Sequence, residues 1–122
     1  MKTSVRSLLV ASAVLCAGAS TAFAHAFPDH ASPAVGSTVH QPPAEVKIWF
    51  TEALEAAFST ISVLDAEGHH MEKGKAKLDP GDQKLLEVDV GTLAPGRYKV
   101  DWRVVSVDTH KTQGSFTFTV AP

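Results

Sequence analysis

The hydrophobic positions along this chain recur with a period of two. Over residues 45–51 the order Glu-Val-Lys-Ile-Trp-Phe-Thr sets Val46, Ile48 and Phe50 against Lys47 and Trp49. Residues 60–65 repeat the pattern with Ile61 and Val63 on one side. Leu86, Val88 and Val90 alternate with Glu87 and Asp89, and Tyr98, Val100, Trp102 and Val104 alternate with Lys99, Asp101 and Arg103. Phe116, Phe118 and Val120 alternate with Ser115, Thr117 and Thr119. Side chains point to opposite faces of an extended chain, so each segment predicts a strand with one buried face and one wet face. No stretch shows comparable helical periodicity, and residues 52–58 have room for one short helical turn.

Turn-forming residues separate the strands. Gln41-Pro42-Pro43-Ala44 stands before the first clear strand, where a proline belongs because it cannot donate to a central ladder. Asp65-Ala66-Glu67-Gly68, Asp79-Pro80-Gly81-Asp82 and Leu93-Ala94-Pro95-Gly96 supply glycine and proline where the backbone reverses. Short, evenly spaced strands without a strand–helix alternation predict an all-β fold, a β-sandwich or a small barrel. There is no internal repeat and no low-complexity linker, so a single domain is expected.

The first 24 residues carry a different pattern. Lys2 and Arg6 open the chain, and Leu8, Leu9, Val10, Ala11, Ala13, Val14 and Leu15 form a short apolar run. Small residues follow and end in Ala22-Phe23-Ala24, an A-x-A cleavage signature. This is the arrangement of a secretory signal peptide, and the run is well short of the roughly 20 residues that span a membrane. Cys16 makes a poor lipoprotein signal, because the bulky Leu15 precedes it. A cut after Ala24 gives a domain of residues 25–122. Ser20-Thr21-Ala22 and Ala24-His25-Ala26 are competing frames, and the second would place Phe27 first.

Removal of the signal changes the composition. The whole chain has 122 residues, 11 Lys+Arg, 13 Asp+Glu and a net charge of −2. Lys2 and Arg6 leave with the signal, so acidic residues gain further over basic ones, which argues against nucleic acid as a partner. The only cysteine, Cys16, also leaves. An exported domain without disulfides relies on its apolar core, and about 100 residues suffice for one.

Two elements carry candidate chemistry. His25, as first residue, offers an α-amine and an imidazole from one residue, which chelate an ion with little ordering entropy. An amine with a pKa near 7.7–8.0 yields its proton readily to a strong Lewis acid such as Cu²⁺. The second element is Ser106-Val107-Asp108-Thr109-His110. Residues two apart on an extended segment share a face, so Asp108 and His110 are expected to converge, a carboxylate beside an imidazole. Alone, a D-x-H is more often a polar pair on a wet strand face. Ser106 and His110 along the same extended segment lie about 13 Å apart at ~3.3 Å per residue, too far for a Ser-His-Asp triad.

Together these segments resemble the CopC family of periplasmic copper-binding proteins. His25-Ala26 is similar to that family's His-Ala opening, and Ser32-Pro33-Ala34-Val35-Gly36-Ser37 to its S-P-A-x-G-S segment. Residues 96–106, Gly-Arg-Tyr-Lys-Val-Asp-Trp-Arg-Val-Val-Ser, resemble its G-x-Y-x-V-x-W-R-V-x-S strand. Val107-Asp108-Thr109-His110 and Gly114-Ser115-Phe116-Thr117-Phe118 resemble its x-D-G-H and G-x-F-x-F ending. The resemblance implies a Greek-key β-barrel of immunoglobulin-like form. It also implies one Cu²⁺ per chain, held by the α-amine and imidazole of His25, the Asp108 carboxylate and the His110 imidazole. Periplasmic localisation and a CopD-like inner-membrane copper transporter as partner follow from the same likeness. Three nitrogens and one oxygen in a tetragonal array suit Cu²⁺. A chain that keeps residues 1–24 has an amide in place of the amine and so an incomplete site.

The chain departs from the family pattern at Phe27, where many members have His, and at Thr109, where Gly is common. A left-handed backbone at that second position would strain a β-branched residue. Met71 is the only sulfur after residue 24, which argues against a soft Cu⁺ site. His69, His70 and Met71 follow a turn and suggest at most a weak second metal site, since neighbouring strand residues face opposite ways. His30 and His40 are expected at the surface, Trp102 in the core, and Trp49 opposite Val46 and Ile48. Two other function classes fit parts of this pattern. One is a copper monooxygenase-like enzyme using an N-terminal His, and the other a metal-free immunoglobulin-like interaction module.

Overall fold

The computed structural model describes residues 25–122; the expected signal peptide and Cys16 lie outside them. Eight strands run in chain order, β1 Pro28–Ser32, β2 Thr38–Val39, β3 Glu45–Phe50, β4 Thr60–Leu64, β5 Glu72–Asp79, β6 Asp82–Val90, β7 Gly96–Val105 and β8 Lys111–Val120. One 3-10 turn, Ala56–Phe58, lies between β3 and β4, where the sequence leaves room for a single helical turn. The strands form two four-stranded sheets, ordered β1-β3-β6-β5 and β2-β8-β7-β4. The two sheets face each other as a sandwich, one of the two arrangements that the strand pattern predicts, and do not close into the Greek-key barrel that the resemblance implies. All described pairings are antiparallel except β2 with β8.

Alternation explains the layering. In β3, Val46, Ile48 and Phe50 are buried, while Glu45, Lys47 and Trp49 are half-buried on the other face. β7 does the same with Tyr98, Val100, Trp102 and Val104, and β8 with Phe116, Phe118 and Val120. These residues, with Ile61, Val63, Leu86, Val88, Leu54 and Leu93, make one continuous core between the sheets. Burying such side chains contributes roughly 1.5–3 kcal/mol each before conformational entropy is counted. Tyr98 keeps its hydroxyl satisfied by donating to the Ala94 carbonyl at 2.5 Å.

Trp102 and Gly114 are register partners on β7 and β8. A Cβ at Gly114 would stand 2.6 Å from the Trp102 ring, so the glycine makes the space in which the indole lies. At one end of the sandwich the β7–β8 turn, the entry to the β3–β4 connection and the start of β1 meet. There Ser106 bridges Leu54, and Val107 N–H donates to the Ala53 carbonyl at 3.0 Å. That end carries the candidate residues.

Candidate metal centre

Asp108 and His110 lie in the turn that joins β7 to β8, not along a strand face. The extended geometry expected for Ser106–His110 does not hold. Ser106 N–H donates to the His110 carbonyl at 3.0 Å, and Thr109 N–H donates to the Ser106 carbonyl at 2.8 Å. The chain therefore doubles back within three residues, as in a short hairpin loop, and the turn brings Asp108 to His110. Thr109 adopts φ 72°, the left-handed backbone that strains a β-branched residue and that glycine would take without a Cβ.

Ser106 anchors this turn. It is fully buried, accepts the His110 N–H at 3.3 Å, and donates its hydroxyl to Asp108 Oδ1. The other carboxylate oxygen, Oδ2, stands 3.1 Å from His110 Nδ1. The serine is thus attached to the carboxylate and not to the imidazole, which is the wrong order for an activated nucleophile. The Ser106 hydroxyl, and after it the His110 imidazole, hold the Asp108 carboxyl below its usual range. Ionised carboxylate is the form a metal needs. Sequence reasoning found Asp108 and His110 but not the role of Ser106; a Ser and an Asp spaced two apart before His is itself a turn signal.

His25 approaches from the other end of the chain. Its ring lies edge-to-face on the His110 ring, with centroids 5.1 Å apart and planes at 78°. The Nδ1 atoms of both rings are withdrawn from solvent. Phe27, more than half exposed, packs edge-on against His25 at 6.0 Å. Three residues named from sequence, His25, Asp108 and His110, are therefore gathered at one place. Among the described residues, no group of three or more His, Cys, Asp or Glu is set to hold a metal ion. In the 122-residue chain the His25 nitrogen is an amide, so one of the four expected donors is missing. The donors that are present, two imidazoles and a carboxylate, match Cu²⁺ chemistry in kind.

The remaining histidines lie elsewhere. His30 stacks on Trp49 at 4.3 Å and places Nδ1 2.7 Å from Asp29, so it is a surface residue of the β1–β3 face. His40 is exposed. His69 engages Asp65 at 3.1 Å, and His70 engages Glu72 at 2.7 Å. The two neighbours turn to different carboxylates, and Met71 packs against the core.

Comparison with known proteins follows the same outline. The CopC domain matches residues 29–121. The chain is 38% identical over 123 residues to Protein YobA of Escherichia coli K12, covering 98% of this chain and 99% of that one. The crystal structure of CopC from Methylosinus trichosporium OB3b superposes with a TM-score of 0.75 at 38% identity, covering 80% of this chain and 95% of that one. PcoC, described as a methionine-rich copper resistance protein from Escherichia coli, gives a TM-score of 0.70 at 31% identity, covering 80% of this chain and 99% of that one. Among the described residues no helix is long and apolar enough to cross a membrane. With a CopC domain over residues 29–121 and relatives this similar over nearly its whole length, this chain belongs to the CopC family.

Proposed function

We propose that residues 25–122 are an exported Cu²⁺-binding protein of the periplasm, released when residues 1–24 are cleaved as a signal peptide. One ion is held by the α-amine and imidazole of His25, the carboxylate of Asp108 and the imidazole of His110. The observation that carries this reading is the His25–His110 ring pair at 5.1 Å with the Asp108 carboxylate on the second ring. Cleavage then adds the fourth donor beside the first. The chain acts by holding and passing on copper, for sequestration, resistance or delivery to a CopD-like inner-membrane transporter, and not as an enzyme. The copper-resistance description of PcoC supports the same cargo.

Intact mass of the exported protein, with and without added Cu²⁺, tests this directly. The expected species begins at His25 and gains one copper. His110→Ala, or acetylation of the α-amine, weakens binding by more than the 10–100-fold that is typical of losing an outer-shell partner. Equal affinity in the native protein and both altered forms would remove the site. A first residue of Phe27 would remove it as well.

A further inference from the structure

Two threonines from distant parts of the chain grip three consecutive peptide groups at the start of the fold. Thr112, on β8 and two residues beyond His110, donates its hydroxyl to the Ala26 carbonyl at 2.6 Å, across 86 positions of sequence. Thr51, the residue after β3, accepts the Phe27 N–H at 3.1 Å and donates to the His25 carbonyl at 3.3 Å. Its own N–H donates to the Phe27 carbonyl at 2.9 Å. Between the two grips Ala26 has no exposed surface and belongs to the core. A chain start is ordinarily the loosest part of a domain; here it is fastened on both sides.

We propose that Thr112, with Thr51 opposite, is a positioning residue for the metal: it clamps residues 25–27 so that the His25 donors stand against His110 before an ion arrives. The inference rests on the copper reading above and names the device that makes that site preformed. Thr112 and His110 share one stretch of chain, so the clamp and the ligand move together. A buried carbonyl that loses its hydroxyl partner carries the full desolvation penalty, which favours release of the arm. Released, the arm must be re-ordered at each binding event, and ordering costs subtract from affinity.

The test uses protein that begins at His25, which contains both complete sheets. Native protein is compared with Thr112→Val, Thr112→Ser and Thr51→Val. Three quantities are read: amide hydrogen exchange of residues 26 and 27 without metal, Cu²⁺ affinity against a competing chelator, and nitrogen hyperfine structure in the Cu²⁺ spin resonance spectrum. Thr112→Val is expected to speed exchange and raise Kd about tenfold, the order of one lost hydrogen bond, with weakened amine-nitrogen coupling. Thr112→Ser returns all three close to native values. Thr51→Val, which keeps the Thr112 hydroxyl, shifts them in the same direction by less. Native exchange, affinity and spectrum in Thr112→Val would overturn the clamp. A lowered melting temperature with unchanged Kd and spectrum would also overturn it, by reducing Thr112 to a stability role. Native protein that takes up no copper would overturn the ligand assignment and the purpose of the clamp together. The metal-free exchange rates separate that outcome from a clamp that does not exist.

Discussion

Thr109 is a β-branched residue at φ 72°, where its Cβ crowds the following carbonyl at a cost of about 1–2 kcal/mol. The hairpin imposes this conformation, because the last position of a three-residue loop closes only in the left-handed region. Its hydroxyl donates to the Asp108 carbonyl at 2.6 Å, which offsets part of that cost. Thr109→Gly is expected to stabilise the domain by about 1 kcal/mol, less the extra chain entropy of glycine, and to raise Tm by a few degrees. Thermal melts of the two proteins check this, and a lower Tm in the glycine variant would show that the hydroxyl outweighs the strain. The residue type at 109 is where sequence reasoning reached backbone detail. The same reasoning failed one step away, treating Asp108 and His110 as strand neighbours. It had no hydrophobic alternation to follow between Val105 and Lys111, and the Ser106 hydroxyl that builds the turn is invisible to a pattern of apolar positions.

Strands were legible in proportion to how much they bury. β3, β7 and β8 each place a row of apolar side chains in the core, and each stands out in the sequence. β5 reads Glu-Lys-Gly-Lys-Ala-Lys-Leu-Asp and buries no residue fully; only Ala76 and Leu78 pack against the core. It is the edge of its sheet, and Lys73, Lys75 and Lys77 guard the unpaired side against another chain. β1 and β2 are also edges and were missed for the same reason. At the β4–β5 junction Glu72 ties the two sheets, accepting the Val63 N–H at 2.9 Å while holding His70 at 2.7 Å. Burial alone would raise the Glu72 carboxyl, but these hydrogen bonds outweigh it and hold it below its usual range. A depressed carboxyl contributes stability above its unfolded pKa and loses it as pH falls through the folded one. Glu72→Ala is therefore expected to cost about 1–2 kcal/mol in urea melts at pH 7, and markedly less near pH 3. An equal cost at both pH values would separate the loss from ionisation.

For the whole molecule, the two-sheet fold and the gathering of His25, Asp108 and His110 were both readable, the first from periodicity and the second through family likeness. The choice of sandwich over closed barrel was not, since periodicity reports which face is buried and not how two sheets end. The proposed copper site draws on this whole assembly. Both imidazoles bind metal only when neutral, so protons compete with Cu²⁺ for them and affinity is expected to fall as the solution is acidified. Asp108, whose carboxyl the Ser106 hydroxyl and then the His110 imidazole hold below the usual carboxylate range, keeps its charge where an ordinary carboxylate begins to lose it. Competition titrations from pH 7.5 to 5.5 check this, and a flat profile would exclude imidazole ligation.

His25 stands at the beginning of the described chain and His110 in its last hairpin, yet their rings meet at 5.1 Å. An unfolded polypeptide brings no such pair together, and a fragment ending before residue 110 never can. A ligand that needs both rings is therefore within reach only of the finished fold.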